Sequence, residues 1–136
     1  MEQNIKNKVI TVISIILSII IVIAIILGIN LVKANALKRT IMSSSWTQIK
    51  GDGSGTHINK ILEFSSKEIT YRIETGFPWL DTTMATYDYK VLSNKKIQVN
   101  MLGYLEKCKV KLSNDNTIMT IIPALTSTEP YEVWYR

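Results

Sequence analysis

The stretch from Gly51 to Lys60, GDGSGTHINK, holds the residue types and spacings in this chain that come nearest to site chemistry. A phosphate-cradling loop needs its glycines to end in Gly-Lys-Ser/Thr between a strand and a helix. Here Gly51, Gly53 and Gly55 run into Thr56, His57 and a strand-like segment, so the lysine and the helix are both missing. A helix–loop–helix calcium site fares little better. Asp52, Ser54, Thr56 and Glu63 fall at its positions one, three, five and twelve. Position six must be glycine for the sharp bend, however, and here it is His57; position nine is Lys60. What remains is a structural role, with three glycines supplying positive φ angles to a wide hairpin between the first two strands.

His57 is the single histidine and Cys108 the single cysteine, so one chain cannot assemble a Cys/His zinc site. Cys108 alternates with Val110 and Leu112 on an apolar face, where a thiol stays protonated and inert, and His57 is expected in a solvated loop. One cysteine also excludes an internal disulfide. Glu63, Glu74 and Asp88 alternate outward on their strands, and no two carboxylates are paired by spacing for acid/base work. No catalytic residue, cofactor or metal ligand is therefore expected, and the role is expected to be non-enzymatic.

Two other groups remain. Lys107, Lys109 and Lys111 form a basic row on one strand face, with Lys95 and Lys96 in a nearby turn. Such a row either protects a solvated or edge strand from pairing or meets anionic headgroups or wall polymers. The connection GFPWLDTT, Gly76 to Thr83, crowds Phe77, Trp79 and Leu80 where polar residues are usual. Either it folds over an open barrel end and buries its aromatics, or it presents a hydrophobic lip to a ligand, a partner or a bilayer.

The elements that position these groups divide sharply. Residues 1–8 are a short basic tail. Residues 9–29, VITVISIILSIIIVIAIILGI, carry no charge, and about 1.5 Å per residue makes a helix of roughly 32 Å, the thickness of a hydrocarbon core. We read this as a transmembrane helix, and 30–45 as a juxtamembrane segment that continues the helix for a turn or two before becoming a tether. Before Trp46 the chain has five basic side chains and one acidic, a net of +4; from Trp46 onward it has eleven and ten, a net of +1. The excess flanks the membrane segment instead of lying on the folded part, which argues against a nucleic-acid partner. Lys6 and Lys8 before the span nearly balance Lys33, Lys38 and Arg39 after it. The expectation is an uncleaved single-pass signal-anchor with the following domain outside; the alternative is secretion after cleavage near Ala36, in the Ala34–Ala36 A-x-A triplet. Ser14/Ser18 and Ala24/Gly28 are small-residue pairs that would permit a weak homodimer of the helix.

From Trp46 to Arg136 the pattern turns to alternation. ITYRIE sets Ile69, Tyr71 and Ile73 against Thr70, Arg72 and Glu74. ATYDYKV does the same with Ala85, Tyr87, Tyr89 and Val91, KIQVNM with Ile97, Val99 and Met101, and KCKVKL with Cys108, Val110 and Leu112. With WTQIK, HINKILEF, TIMTII and YEVWYR this makes about eight short strands joined by turn residues. The expected fold is all-β, an antiparallel meander closed into a small barrel or sandwich over 46–136, preceded by one transmembrane helix.

The Trp opening the first strand, the Gly-Asp-Gly hairpin, the Phe64-Ser-Ser turn before ITYRI, and the closing aromatic-x-Trp-x-Arg resemble small bacterial lipocalin-like domains. That resemblance implies a barrel-closing pair in which Trp46 packs beneath Arg136. It also implies, as an alternative function, a carrier of a small apolar ligand. The inward tyrosines and Met101 could fill so small a barrel themselves, since eight strands leave an interior just wide enough for side chains. The leading expectation is a membrane-anchored binding or interaction domain at the bacterial cell envelope, with the bilayer and an envelope protein as partners.

Overall fold

The apolar run and both its flanks form one uninterrupted helix, α1, Glu2–Met42, in a computed structural model that describes residues 2–51 and 57–136. Forty-one residues at about 1.5 Å each give a rod roughly 60 Å long, twice what an apolar core of about 30 Å requires. Between residues 9 and 29 it is apolar on every side, and its side chains there are exposed. Thr11 and Ser18 turn their hydroxyls back to the carbonyls of Asn7 and Ser14, at 2.9 and 2.8 Å, so neither leaves a donor facing outward. This helix is long and apolar enough to cross a membrane or to act as a signal sequence.

The helix continues thirteen residues past Ile29, three turns and more where the sequence pattern predicts one or two. Ala34, Leu37 and Ile41 account for the difference. They lie three and four residues apart on one helical face, and all three are buried. Leu37 and Ile41 join the main core cluster. The last turns of the helix are thus a component of the folded domain.

The rest is all-β. Strands β1 (Trp46–Gly51), β2 (His57–Phe64), β3 (Glu68–Glu74), β4 (Thr82–Ser93), β5 (Lys96–Met101), β6 (Tyr104–Leu112), β7 (Ile118–Ile122) and β8 (Glu132–Tyr135) each pair with the next, antiparallel. β8 returns to β1 through Thr47 and Tyr135, closing the barrel. Among the described residues after Met42 the only helical piece is a single 3-10 turn, Pro78–Leu80. Local twist is taken up by irregularities in register between Tyr71 and Arg72 and between Val91 and Ser93.

Alternation places the core. Leu62, Ile69, Ile97, Val99, Cys108, Val110, Met119, Ile121 and Trp134 are fully or almost fully buried within the barrel, and Trp46 closes it at the α1 end. Tyr71 meets Trp134 edge to face with ring centroids 6.5 Å apart, and Phe64 meets Tyr89 at 5.5 Å. Glu132 is the exception to an apolar interior. Its carboxylate accepts from the backbone N–H groups of Leu125 and Thr126 and from the Thr126 hydroxyl, at 3.0, 3.2 and 2.8 Å. That satisfies a buried charge and ties the β7–β8 loop to the barrel.

Of the loop at 51–60, Gly51 ends β1 and His57 opens β2. Asp52, Gly53, Ser54, Gly55 and Thr56, and the His57 side chain, lie outside the described residues.

Candidate functional site

An eight-stranded meander sorts its loops by parity. The connections β2–β3, β4–β5 and β6–β7 lie at the end where α1 enters, with the carboxyl terminus. The connections β1–β2, β3–β4, β5–β6 and β7–β8 lie at the opposite end, the distal rim. Exposed apolar residues of the barrel concentrate there.

The β3–β4 connection places Phe77, Trp79 and Leu80 outward, 48%, 77% and 55% exposed, so the loop does not fold over the barrel end to bury them. It is nonetheless a built structure. Gly76 adopts φ +79°, a conformation costly for any residue with a Cβ. Pro78 sets the following 3-10 turn, in which the Leu80 N–H donates to the Phe77 carbonyl at 2.8 Å. The Asp81 carboxylate accepts from the Thr75 N–H at 2.9 Å and so clamps the two ends of the loop together. The Phe77 and Trp79 rings lie 5.2 Å apart at a tilt of 41°, one continuous aromatic surface.

A second patch was hidden in the sequence. The β5–β6 hairpin turns at Leu102 and Gly103, with φ +56° and +91°. Leu102 is fully exposed at the tip, and Tyr104 and Leu105 beside it are exposed too. A left-handed conformation costs a residue with a Cβ roughly 1–2 kcal/mol, and Asn or Gly would avoid most of that. Gly103 donates its N–H to the Asn100 side chain at 2.9 Å, which fixes the turn. A leucine held in that conformation, facing solvent, departs from the local preference for Asn or Gly. Met84 and Tyr131 are further exposed apolar residues of the same end.

At the α1 end the Trp46 indole N–H donates to the Ile41 carbonyl at 2.9 Å. The Arg136 guanidinium carbon stands 5.4 Å from the Trp46 ring centroid, and Arg136 donates to the Ser43 hydroxyl at 2.7 Å. Helix, first strand and last strand therefore meet on one indole. The arrangement is structural, and it closes the barrel where the helix enters.

Lys107, Lys109 and Lys111 point outward from β6, which lies between β5 and β7. A closed barrel has no edge strand there to protect, so the edge-strand explanation does not apply. The outward carboxylates have another use: Arg72 bridges Glu63 at 2.9 Å and Glu74 at 3.3 Å across the β2–β3 wall. Cys108 is buried, and burial first, then the Glu106 and Glu132 charges, push its thiol up to about 12. Among the described residues no three of His, Cys, Asp and Glu are grouped to hold a metal. The arrangement offers an apolar, aromatic surface at one end of a closed barrel, with the helix at the other. No family model, curated protein or solved structure matches the chain.

Proposed function

We propose that this chain is a membrane-anchored β-domain with a non-enzymatic binding role at the bacterial cell envelope, its working surface the distal rim. α1 is read as an uncleaved anchor, with the amino terminus inside and a lipocalin-like barrel outside. The observation that carries the reading is the exposure of Phe77, Trp79 and Leu80 on a clamped loop, with Leu102 exposed at a strained hairpin tip of the same end. Monomeric soluble surfaces rarely keep so many large apolar groups together without a partner. Rigid aromatics lose little side-chain entropy on contact, which suits them as anchors for an envelope protein.

Site-specific photo-crosslinking in cells tests this. A photoreactive phenylalanine analogue at position 79 is expected to trap one discrete protein, and the same group at position 88, on the barrel wall, to trap none. Equal labelling from both positions, or none from 79, would overturn the reading.

A second reading, a carrier of a small ligand, is favoured by one feature. The Trp134 indole N–H is buried inside the barrel without a hydrogen-bond partner. An occupant with an acceptor atom would satisfy it. Native mass spectrometry of the full chain released from neutral detergent separates the two readings. A reproducible extra mass that is not a phospholipid supports the carrier, and a chain without one excludes it.

A further inference from the structure

We propose that the cleft between the β4–β5 turn and β6 binds the phosphate of an anionic phospholipid headgroup. This rests on the reading of α1 as an anchor. The cleft has a volume of about 480 Å³ and is lined by Asn94, Lys95, Lys109, Val110, Lys111 and Leu112. Its shape is fixed, because the Val110 N–H donates to the Lys95 carbonyl at 2.8 Å and staples the turn to the strand.

Charge is the first argument. Lys95, Lys109 and Lys111 are exposed, and Lys90, Lys96 and Lys107 extend the same outer face. Among the described residues no carboxylate forms an ion pair with any of these six. Lys96 stands directly across the ladder from Lys109, an opposition of like charges that destabilises a sheet. Ordinary surfaces intersperse signs to avoid this. A concentrated, unpaired and mutually repelling set of ammonium groups around a concavity is a receptor for an anion.

Position is the second. Asn94 and Leu112 also line a neighbouring groove with Lys33, Leu37 and Thr40 of the helix, so the cleft and the helix are contiguous. Lys33 comes four residues after the apolar run ends at Ile29, about 6 Å along the axis. The headgroup layer on each side of the hydrocarbon is itself roughly 5–7 Å deep. The docking of Ala34, Leu37 and Ile41 therefore holds the lysine cleft at the depth of lipid phosphates, with Lys33 beside it. A phospholipid with a net negative headgroup supplies the charge, and one whose phosphate is balanced by its own ammonium does not.

The test uses the full chain in neutral detergent, offered equal amounts of phosphatidylglycerol and phosphatidylcholine and read by native mass spectrometry. The wild type is expected to retain phosphatidylglycerol about tenfold or more over phosphatidylcholine, given roughly tenfold per one to two lysines near a charged surface. The triple variant Lys95→Gln, Lys109→Gln, Lys111→Gln loses the preference; the triple Lys→Arg variant keeps it. Near-ultraviolet circular dichroism verifies the fold of each. Equal retention of both lipids by the wild type, or an undiminished preference in the glutamine triple, overturns the proposal. Displacement of the lipid by millimolar inorganic phosphate would assign the cleft to a soluble anion and overturn the headgroup. Flotation with pure phosphatidylcholine vesicles tests the anchor separately. Wild type and glutamine triple should both float, whereas a chain that stays in solution defeats the anchor reading itself.

Discussion

Cys108 shows how far a single side chain can be anticipated. Its alternation with Val110 and Leu112 marks it as inward, and it is buried there with its thiol at about 12. Ellman's reagent at pH 8 should leave it unmodified in the folded chain and titrate one thiol once guanidinium unfolds it. Rapid labelling of the native protein would contradict the packing. A raised acid constant also sets an alkaline limit. Cys108 and Tyr89 are held neutral in the fold to about pH 12, by burial first in both cases, against ordinary values of 9.0 and 10.0. Their contribution is complete below pH 9 and is lost as the pH rises toward 12, because only the unfolded chain releases these protons. Stability followed by circular dichroism should fall between those limits, and Cys108→Ala should move the onset upward. Asp115 works in the opposite sense. Hydrogen bonds from the Ser113 and Thr117 hydroxyls and the Thr117 N–H hold it down at about 2. The β6–β7 turn is therefore fully supported above pH 3.8 and loses that support as pH falls through 2. A carboxyl resonance of Asp115 that titrates near 4 would show the turn to be unformed. Other residues were less legible. Leu102 sits next to Gly103, and the glycine alone marked a turn there, so nothing in the sequence singled out the leucine. Glu132 shares the buried face with Trp134, which YEVWYR did not mark for an acid, and the loop residues 125 and 126 that donate to its carboxylate explain why it is tolerated there.

At the scale of elements, the strands were readable because a sheet with one dry face imposes a period of two, plain in ITYRIE, ATYDYKV, KIQVNM and KCKVKL; β2 is less regular, with Ile61 and Leu62 both buried in succession. Their closure was less so, since pairing of β1 with β8 joins residues nearly ninety positions apart through few contacts. The end of the helix was misread for a different reason. Ala34, Leu37 and Ile41 form a helical stripe, but it follows a run so apolar that the change from all-round to one-sided hydrophobicity is masked. Their burial makes a prediction. Ile41→Ala should destabilise the barrel by about 2–5 kcal/mol, the usual range for emptying a fully packed aliphatic site. Val32→Ala, on an exposed stretch, should change it by less than about 0.5 kcal/mol. Denaturant titration of the tryptophan emission of the full chain in neutral detergent reads both. Similar values for the two would mean that helix and barrel are independent. The lip also belongs to this scale. Asp81→Ala removes the clamp on Thr75 and should broaden the Trp79 emission without moving the denaturation midpoint by more than about 1 kcal/mol, the net worth of an exposed hydrogen bond.

For the whole molecule, the two ends of the barrel are unlike. One receives the helix, carries the lysine cleft and is sealed by Trp46, Ile41 and Arg136. The other exposes aromatics and leucines. Trp46→Ala should therefore be more damaging than a simple core truncation. It empties a large fully buried site, worth about 3–5 kcal/mol, and releases both the helix and the last strand. A loss within that range, with the helix still protected from amide exchange at 37–41, would show the seal to be local. On the anchored reading, the unbroken passage of α1 into the barrel has a mechanical meaning. No swivel separates the span from the domain, so the inclination of one is the inclination of the other. Transmembrane helices lean by about 20° on average and lean further when the bilayer is thin, and over a reach of roughly 30 Å such a lean carries the rim sideways by about 10 Å. The rim is thus the tip of a pointer whose angle is set in the lipid, and what it can touch depends on the thickness of the membrane beneath it.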